Sequence, residues 1–460
     1  MQAGERQAMM TAATRIRVFF SAIIVLYIGL GLLFATRTPA WQAPDEPAHY
    51  NTIRQMAAGD LLPQIEMGDW NNAYLETLKA QRFAPDLLGD LDRVQYEDHQ
   101  PPLYYWLATP VYWASDGRLI ALRLYSLALG AITITLSFVI VRLLMPQRPA
   151  LALATMALVA FTPQHLAILA SVNNDALAGA LIALTLWTVL RYLRGDAVTP
   201  WQLGVLIGLI AITKTTAYFM AGVVGMAIVL KWSARDKRTW RPLFHALLTM
   251  ALPAALFAGA YWGRNIIVYG FPDFLGLQRH HDVVVGQLRT SDYIAEIGVG
   301  AYWQTAIQTT FNSFWGQFGW MGVPMNGAIP RIYQALVALV ALALVGALIH
   351  AVLQMRLTTA SENQQARFRW HSTLILALVV LLSLLQFIYY NLTFVQFQGR
   401  YLFTALIPIA FVLALGIDTW RDLLLRRWGW SPWLTVIACM GFAVLDFYLI
   451  WRVIPGALMP

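Results

Sequence analysis

The stretch Val18–Thr36, VFFSAIIVLYIGLGLLFAT, carries no charge between Arg17 and Arg37. At about 1.5 Å of rise per helical residue, such a run reaches across most of a hydrocarbon layer about 30 Å thick. It is longer than the core of a secretory signal, roughly 7 to 15 residues, and follows a short basic N-terminus with Arg6, Arg15 and Arg17, so it reads as a retained span. Just beyond it comes APDEPAHY, Ala43–Tyr50, which sets two adjacent carboxylates at the edge of the bilayer. The whole chain agrees with this opening. It is 58% hydrophobic and only 12% charged over 460 residues, with a mean hydropathy of +0.56. Soluble domains carry about 25% charged residues, so this is a polytopic membrane protein, and disorder, collagen and coiled coil are excluded. One cysteine, Cys439, rules out an intramolecular disulfide, a Cys-based zinc site and a thiol pair. Chemistry must fall to carboxylates, His, Lys, Arg, amides or aromatics.

Further apolar segments are expected at 119–144, 150–170, 174–193, 199–213, 215–231, 243–264, 331–354, 371–391, 400–418 and 432–453. With the first they make an all-α transmembrane domain of about 11 helices spanning 1–460. With the N-terminus inside, 18 of the 32 Lys and Arg fall on the inner side: Arg6, Arg15, Arg17, Arg142, Arg148, Arg191, Arg194, Lys231, Arg235, Lys237, Arg238, Arg241, Arg356, Arg367, Arg369, Arg421, Arg426 and Arg427. The positive-inside rule therefore fixes the orientation, and the net charge of +8 speaks of sidedness, not of nucleic acid. Two large loops then lie outside. The first, 37–118, holds 12 of the 24 acidic residues. Within it, Pro47–Ala58 and the proline-bearing 101–113, PPLYYWLATPVYW, read as interfacial helices, the latter too short to span. The second loop, 265–330, is rich in Trp, Gly and Phe.

Six basic residues fall at the outer ends of spans: Arg123, Lys214, Arg264, Arg331, Arg400 and Arg452. Singly, each fits a side chain snorkelling to the headgroups. Together they ring an outer site for an anion, with Lys214, in a turn of minimal length, holding a phosphate as a point charge and Arg400 adding a bidentate contact. On the acidic side, Asp45 and Glu46 point about 100° apart on a helix, so only one faces a given pocket, and His49 shares the face of Asp45. Asp45 reads as a general base or metal ligand, or as a simple helix cap. Asp175, after Asn173 and Asn174, reads the same two ways. Asp446, within the last span, is expected to pair with Arg452. His280 and His281 lack a third metal ligand at helical spacing.

PDEPAHY after the first span, HQPPLYYWL at 99–107, NNDAL at 173–177, TKTTA at 213–217 and GRYLFTALIP at 399–408 resemble the GT-C membrane glycosyltransferases. The likeness is to the branch with aminoarabinose transferases and protein mannosyltransferases, and FWGQFGWMG at 314–322 is similar to uncharacterised bacterial relatives. The resemblance implies transfer of a sugar from a polyprenyl-phosphate donor to a glycan, lipid or protein hydroxyl at the outer face of the cytoplasmic membrane. It puts Asp45 at the catalytic centre, with Glu46 beside it and Asp175 opposite. Lys214, Arg400, Arg123 and His99 become the donor-phosphate contacts, although Gln100-Pro101 stands where relatives have Lys-Pro or His-Pro. His49, Tyr50, Tyr104, Asn174, Trp315 and Trp320 are expected to line the substrate pocket. No cofactor is required, with a divalent Mg²⁺ or Mn²⁺ on Asp45 as the variant. The competing readings are a flippase or transporter for an anionic lipid, and an outer-face polymer-binding protein. Transporters place their polar sites near the midplane, whereas the charges here gather at span ends.

Overall fold

The computed structural model describes residues 3–235, 239–355, 364–425 and 431–459. Of the basic residues assigned to the inner side, Lys237, Arg238, Arg356, Arg426 and Arg427 lie outside these. The chain is a multi-pass, almost wholly helical membrane protein. Among the described residues nine helices are long and apolar enough to cross a bilayer: Ala12–Arg37, Leu119–Leu144, Asp175–Arg194, Thr215–Ser233, Trp240–Tyr269, Ala328–Gly346, Gln364–Asn391, Gly399–Leu425 and Trp433–Leu458. Each coincides with one of the eleven expected segments.

The other two expected segments are built differently. Residues 150–170 form two helices, Pro149–Ala160 and Pro163–Leu169, bent by 64°. Pro163 has no N–H, and its ring drives Thr162 out of the helical region, to ψ 113°, so the first helix stops there. The carbonyls this strands are satisfied locally. The Thr162 hydroxyl donates to Leu158 O at 2.7 Å and the His165 Nδ1 lies 2.8 Å from Val159 O. Every side chain from Ala150 to Ala160 is buried, and the run is rich in alanine, which lets neighbouring helices close in. Segment 199–213 gives a helix of 12 residues, Pro200–Ala211. At about 18 Å by the helical rise it is shorter than a full-length span, and the chain continues beyond it through Ile212 and Thr213 to Lys214. It packs on Trp240–Tyr269 through Gly204 and Gly208, where an added Cβ would lie 2.1 Å from Met250 O and 2.6 Å from the Phe257 ring respectively. Of the eleven expected segments, nine are thus helices long and apolar enough to span by themselves among the described residues, or up to ten with the bent pair taken as one.

Both large loops are mostly helical. The first contains Glu46–Ala57, Asn72–Ala80 and Leu103–Ala114. The Pro101-Pro102 pair delays the last of these until Leu103, and its Trp106 and Trp113 indoles donate to Leu61 O and Ala57 O. The second holds Leu277–Val283, Thr290–Ile297 and Val299–Trp315, then an antiparallel pair of two-residue strands with Gln317 opposite Pro324. The loops share one apolar core, in which Ile65, Leu75, Leu78, Phe83 and Tyr96 meet Val283 and Val284. Arg264 ties the end of a membrane helix to that unit through Leu62 O at 2.6 Å and Pro63 O at 2.9 Å.

Candidate active site

Asp45 has a left-handed backbone, φ 65°, and makes no capping bond to the helix that follows, which excludes the cap reading. Its carboxylate instead accepts from the Tyr96 hydroxyl at 2.9 Å and from Arg400 Nη2 at 2.5 Å. The adjacent Glu46 turns the other way, into the protein. It is fully buried and paired with Arg123, at 2.8 Å to Nε and 2.6 Å to Nη2. The backbone N–H groups of Trp41 and Val172 also donate to it. A guanidinium has five N–H donors. Arg123 directs all of them inward, the remainder to Ala35 O, Thr38 O and Pro39 O. Two expectations are corrected here. Glu46 is a structural anchor, because its carboxylate is closed off by four donating groups, and Arg123 has no donor left for a phosphate.

Arg400 is set by the 3-10 turn Gly399–Ala405. Gly399 lies so close to the Val299–Trp315 helix that a Cβ would fall 2.3 Å from Phe314 N and 2.4 Å from Thr310 O, and its N–H donates to Ser313 Oγ at 2.8 Å. Lys214, extended between two helices, reaches Asp175 Oδ1 and Asn174 Oδ1, each at 2.6 Å. Asp175 opens the helix Asp175–Arg194, its N–H donating to Asn173 Oδ1 at 2.9 Å while its carboxylate is taken by Lys214. His49 Nδ1 lies 2.8 Å from the Tyr105 hydroxyl. Its ring feels the charges of Lys214, Asp45, Asp175 and Arg400 together, which marks the four as one cluster.

Two acids and two bases in contact leave this cluster close to neutral. Burial works against the Asp45 carboxylate, but Arg400, His49 and the Tyr96 hydrogen bond outweigh it and hold the group at about 2. Burial, then Lys214, lowers His49 to about 3, so the ring is neutral at pH 7. His99 is likewise lowered to about 4, chiefly by burial. Its ring lies against that of His280, with centroids 4.2 Å apart and the planes tilted by 43°. Other expected residues make contacts that brace the fold. Tyr104 shares a hydrogen bond with Ser126 and accepts from Asn173 N–H, and the Tyr50 hydroxyl donates to Gly117 O. Trp315 stacks on Tyr333 at 4.1 Å in the core. The Trp320 indole donates to Trp41 O, pinning the chain ahead of Asp45. Asp446 does not pair with Arg452: both carboxylate oxygens are buried without a hydrogen-bond partner. Two site residues, Tyr96 and Glu97, escape the sequence reading. They stand directly before HQPPLYYWL, but acids in a polar loop read as solvated, and only the fold shows Glu97 to be buried.

Residues 99–262 match the family of dolichyl-phosphate-mannose-protein mannosyltransferases. The match bears out the resemblance to GT-C membrane glycosyltransferases, and it spans His99, Asn174, Asp175 and Lys214 while leaving Asp45 and Arg400 outside. Among solved structures, the chain is similar to ArnT from Cupriavidus metallidurans bound to undecaprenyl phosphate, at 14% identity and a TM-score of 0.49, covering 97% of this chain and 74% of that one. The apo form of the same protein gives 13% identity with the same TM-score and coverage. No curated protein matches.

Proposed function

We propose that this protein is a glycosyltransferase that moves a sugar from a polyprenyl-phosphate donor to an acceptor hydroxyl at the outer face of the cytoplasmic membrane, with the N-terminus inside. The observation that carries the reading is the pairing of Asp45 with Arg400 beside that of Asp175 with Lys214. Departure of a phosphate from an anomeric carbon needs fixed positive charge, and the incoming hydroxyl needs a base. Both are here, each masked by the other. A donor phosphate competes with Asp45 for Arg400 and with Asp175 for Lys214. Once Arg400 turns to phosphate, the influence that holds Asp45 near 2 is withdrawn and its carboxylate becomes a stronger base, so donor binding itself prepares the acceptance of a proton. His49 and Asn174 line this centre, and the donor's apolar tail lies between the spans.

The reading needs no metal. Arg400 and Lys214 already supply the positive charge that a divalent ion would bring to Asp45, Asp175 and the donor phosphate. Transfer is therefore expected to persist in a chelator. The decisive experiment is mass spectrometry of lipids that co-purify with the wild type and with the Lys214→Ala, Arg400→Ala double variant, followed by transfer assays with the recovered lipid. Polyprenyl phosphate or its glycosylated form retained only by the wild type is the expected result. Bulk phospholipid alone in both would overturn the reading.

A further inference from the structure

Glu97 has no role in the chemistry above. It sits between two anchored neighbours: Tyr96 donates to Asp45 at 2.9 Å, and Asp98 accepts from Thr52 and Gln55, each at 2.6 Å. Held this way, Glu97 is only 9% exposed and its Oε2 has no hydrogen-bond partner. Arg400, 7% exposed, likewise leaves Nε without one. The Glu97 carboxyl interacts with Asp45, Lys214, Arg400 and Gln100, and the phenols of Tyr96, Tyr105, Tyr390 and Tyr401 feel its charge, so both orphan groups are buried among the same charges. Buried polar atoms left unpaired in a native fold call for an explanation, and a ligand that satisfies both supplies it.

What that ligand offers follows from the state of the acid. Burial first, then the Asp45 charge, push Glu97 up to about 8, against the pull of Lys214, Gln100 and Arg400. At pH 7 Asp45 is ionised and Glu97 keeps its proton. A site that separates two carboxyls in this way assigns one as base and the other as acid. An O–H on Glu97 and the N–H of Arg400 are then two unused buried donors around the Asp45 carboxylate, the complement of proton-free phosphate oxygens.

We propose that Glu97 is the general acid of the site and protonates the phosphate oxygen that leaves the anomeric carbon; this rests on the transferase reading above. The carbon–oxygen bond to phosphate breaks with its electron pair passing to oxygen, and that oxygen takes the Glu97 proton. The acceptor oxygen bonds to the anomeric carbon while its own proton passes to Asp45. Exchange with water afterwards removes the proton from Asp45 and restores one to Glu97, so the net change is an acceptor proton delivered to the carrier phosphate. A neutral acid also spares the phosphate a second fixed negative charge beside it.

The test compares wild type with Glu97→Gln and Glu97→Asp, using the donor lipid identified by co-purification. Glu97→Gln is expected to lower kcat by roughly 10²- to 10⁴-fold, with donor KM little changed, as loss of a general acid does. The alkaline limb of the kcat profile, near pH 8 in the wild type, should vanish from the residual activity, and Glu97→Asp should restore part of the rate with a shifted limb. Wild-type kcat in Glu97→Gln, or a reduced kcat with the limb intact, overturns the proposal and leaves the transferase reading standing. A wild type that transfers nothing removes both. Infrared spectra at pH 6 read the acid without turnover: the wild-type minus Glu97→Gln difference is expected to show one protonated-carboxyl component, over the band that Asp98 gives in both proteins, and identical spectra would refute the acid role on its own.

Discussion

Replacing Glu46 with Gln separates the two adjacent acids most sharply. In the wild type, Glu46 is fully buried and Arg123 is 3% exposed, and their contacts at 2.8 and 2.6 Å are reinforced by the Trp41 and Val172 N–H groups. Gln keeps the shape but leaves a buried guanidinium without its counter-charge. Breaking such a pair from one side costs about 3–5 kcal/mol, out of total stabilities of roughly 5–15 kcal/mol. That is about two to four powers of ten in the folding equilibrium. Arg123→Met should cost a similar amount by stranding the carboxylate. The double variant Glu46→Leu, Arg123→Met should recover part of the loss, since neither charge remains; the backbone groups of Ala35, Thr38 and Pro39 lose their donor, so recovery is incomplete. Unfolding by sodium dodecyl sulfate in mixed micelles measures each term, and transfer per folded molecule is read alongside. Equal stability in all four proteins, or turnover lost from Glu46→Gln while its fold survives unchanged, would refute the assignment of this pair to structure.

The remaining expectations concern the site. Lys214→Ala should raise donor KM with less effect on kcat, because its ammonium is the phosphate's point charge; unchanged donor affinity would remove it from the site. Gly399→Ala should lower both turnover and melting temperature, since a methyl 2.3 Å from Phe314 N must displace the turn that carries Arg400. Wild-type stability should fall as pH rises from about 6.5 to about 8; below that window the buried, neutral His49 and His99, which gain a proton on unfolding, pull the other way. Glu97 has a raised folded value near 8, so across this window the folded chain binds more protons than the unfolded one, with a slope of at most about 1.4 kcal/mol per pH unit for that group. Asp98, raised to about 7 chiefly by burial, adds to the fall over the lower part of that range. Glu97→Gln should flatten the curve; an unchanged slope counts against the buried acid.

Much of this architecture is legible in the sequence, because crossing a bilayer demands long uncharged runs and the nine long spans are such runs. The two segments that differ do so for reasons a hydropathy pattern does not carry. Pro163 breaks one helix, and the helix Pro200–Ala211 is held by the close approach of Gly204 and Gly208 to a neighbour, not by its own length. At the site, Asp45, Asp175, Lys214 and Arg400 stand out as charges at span ends, and the fold brings them into contact. Glu46 and Arg123 look equally functional by the same criterion. What distinguishes them is the direction in which the backbone turns at Asp45, which no spacing rule records. Glu97 is invisible for the opposite reason, as an acid among the acids of a polar loop, beside a Tyr96 that shares an apolar core with Val283 and Val284, nearly two hundred positions away.

The left-handed backbone at Asp45 also governs which substitution there is informative. Asp and Asn tolerate that conformation because their short polar side chains bond locally, whereas other side chains are strained in it. Asp45→Asn removes the charge and leaves the chain path alone. Asp45→Ala removes the charge and also strains the bend that sends Asp45 toward Arg400 and Glu46 toward Arg123. A defect confined to the alanine variant would report on chain geometry. One common to both would report on the carboxylate.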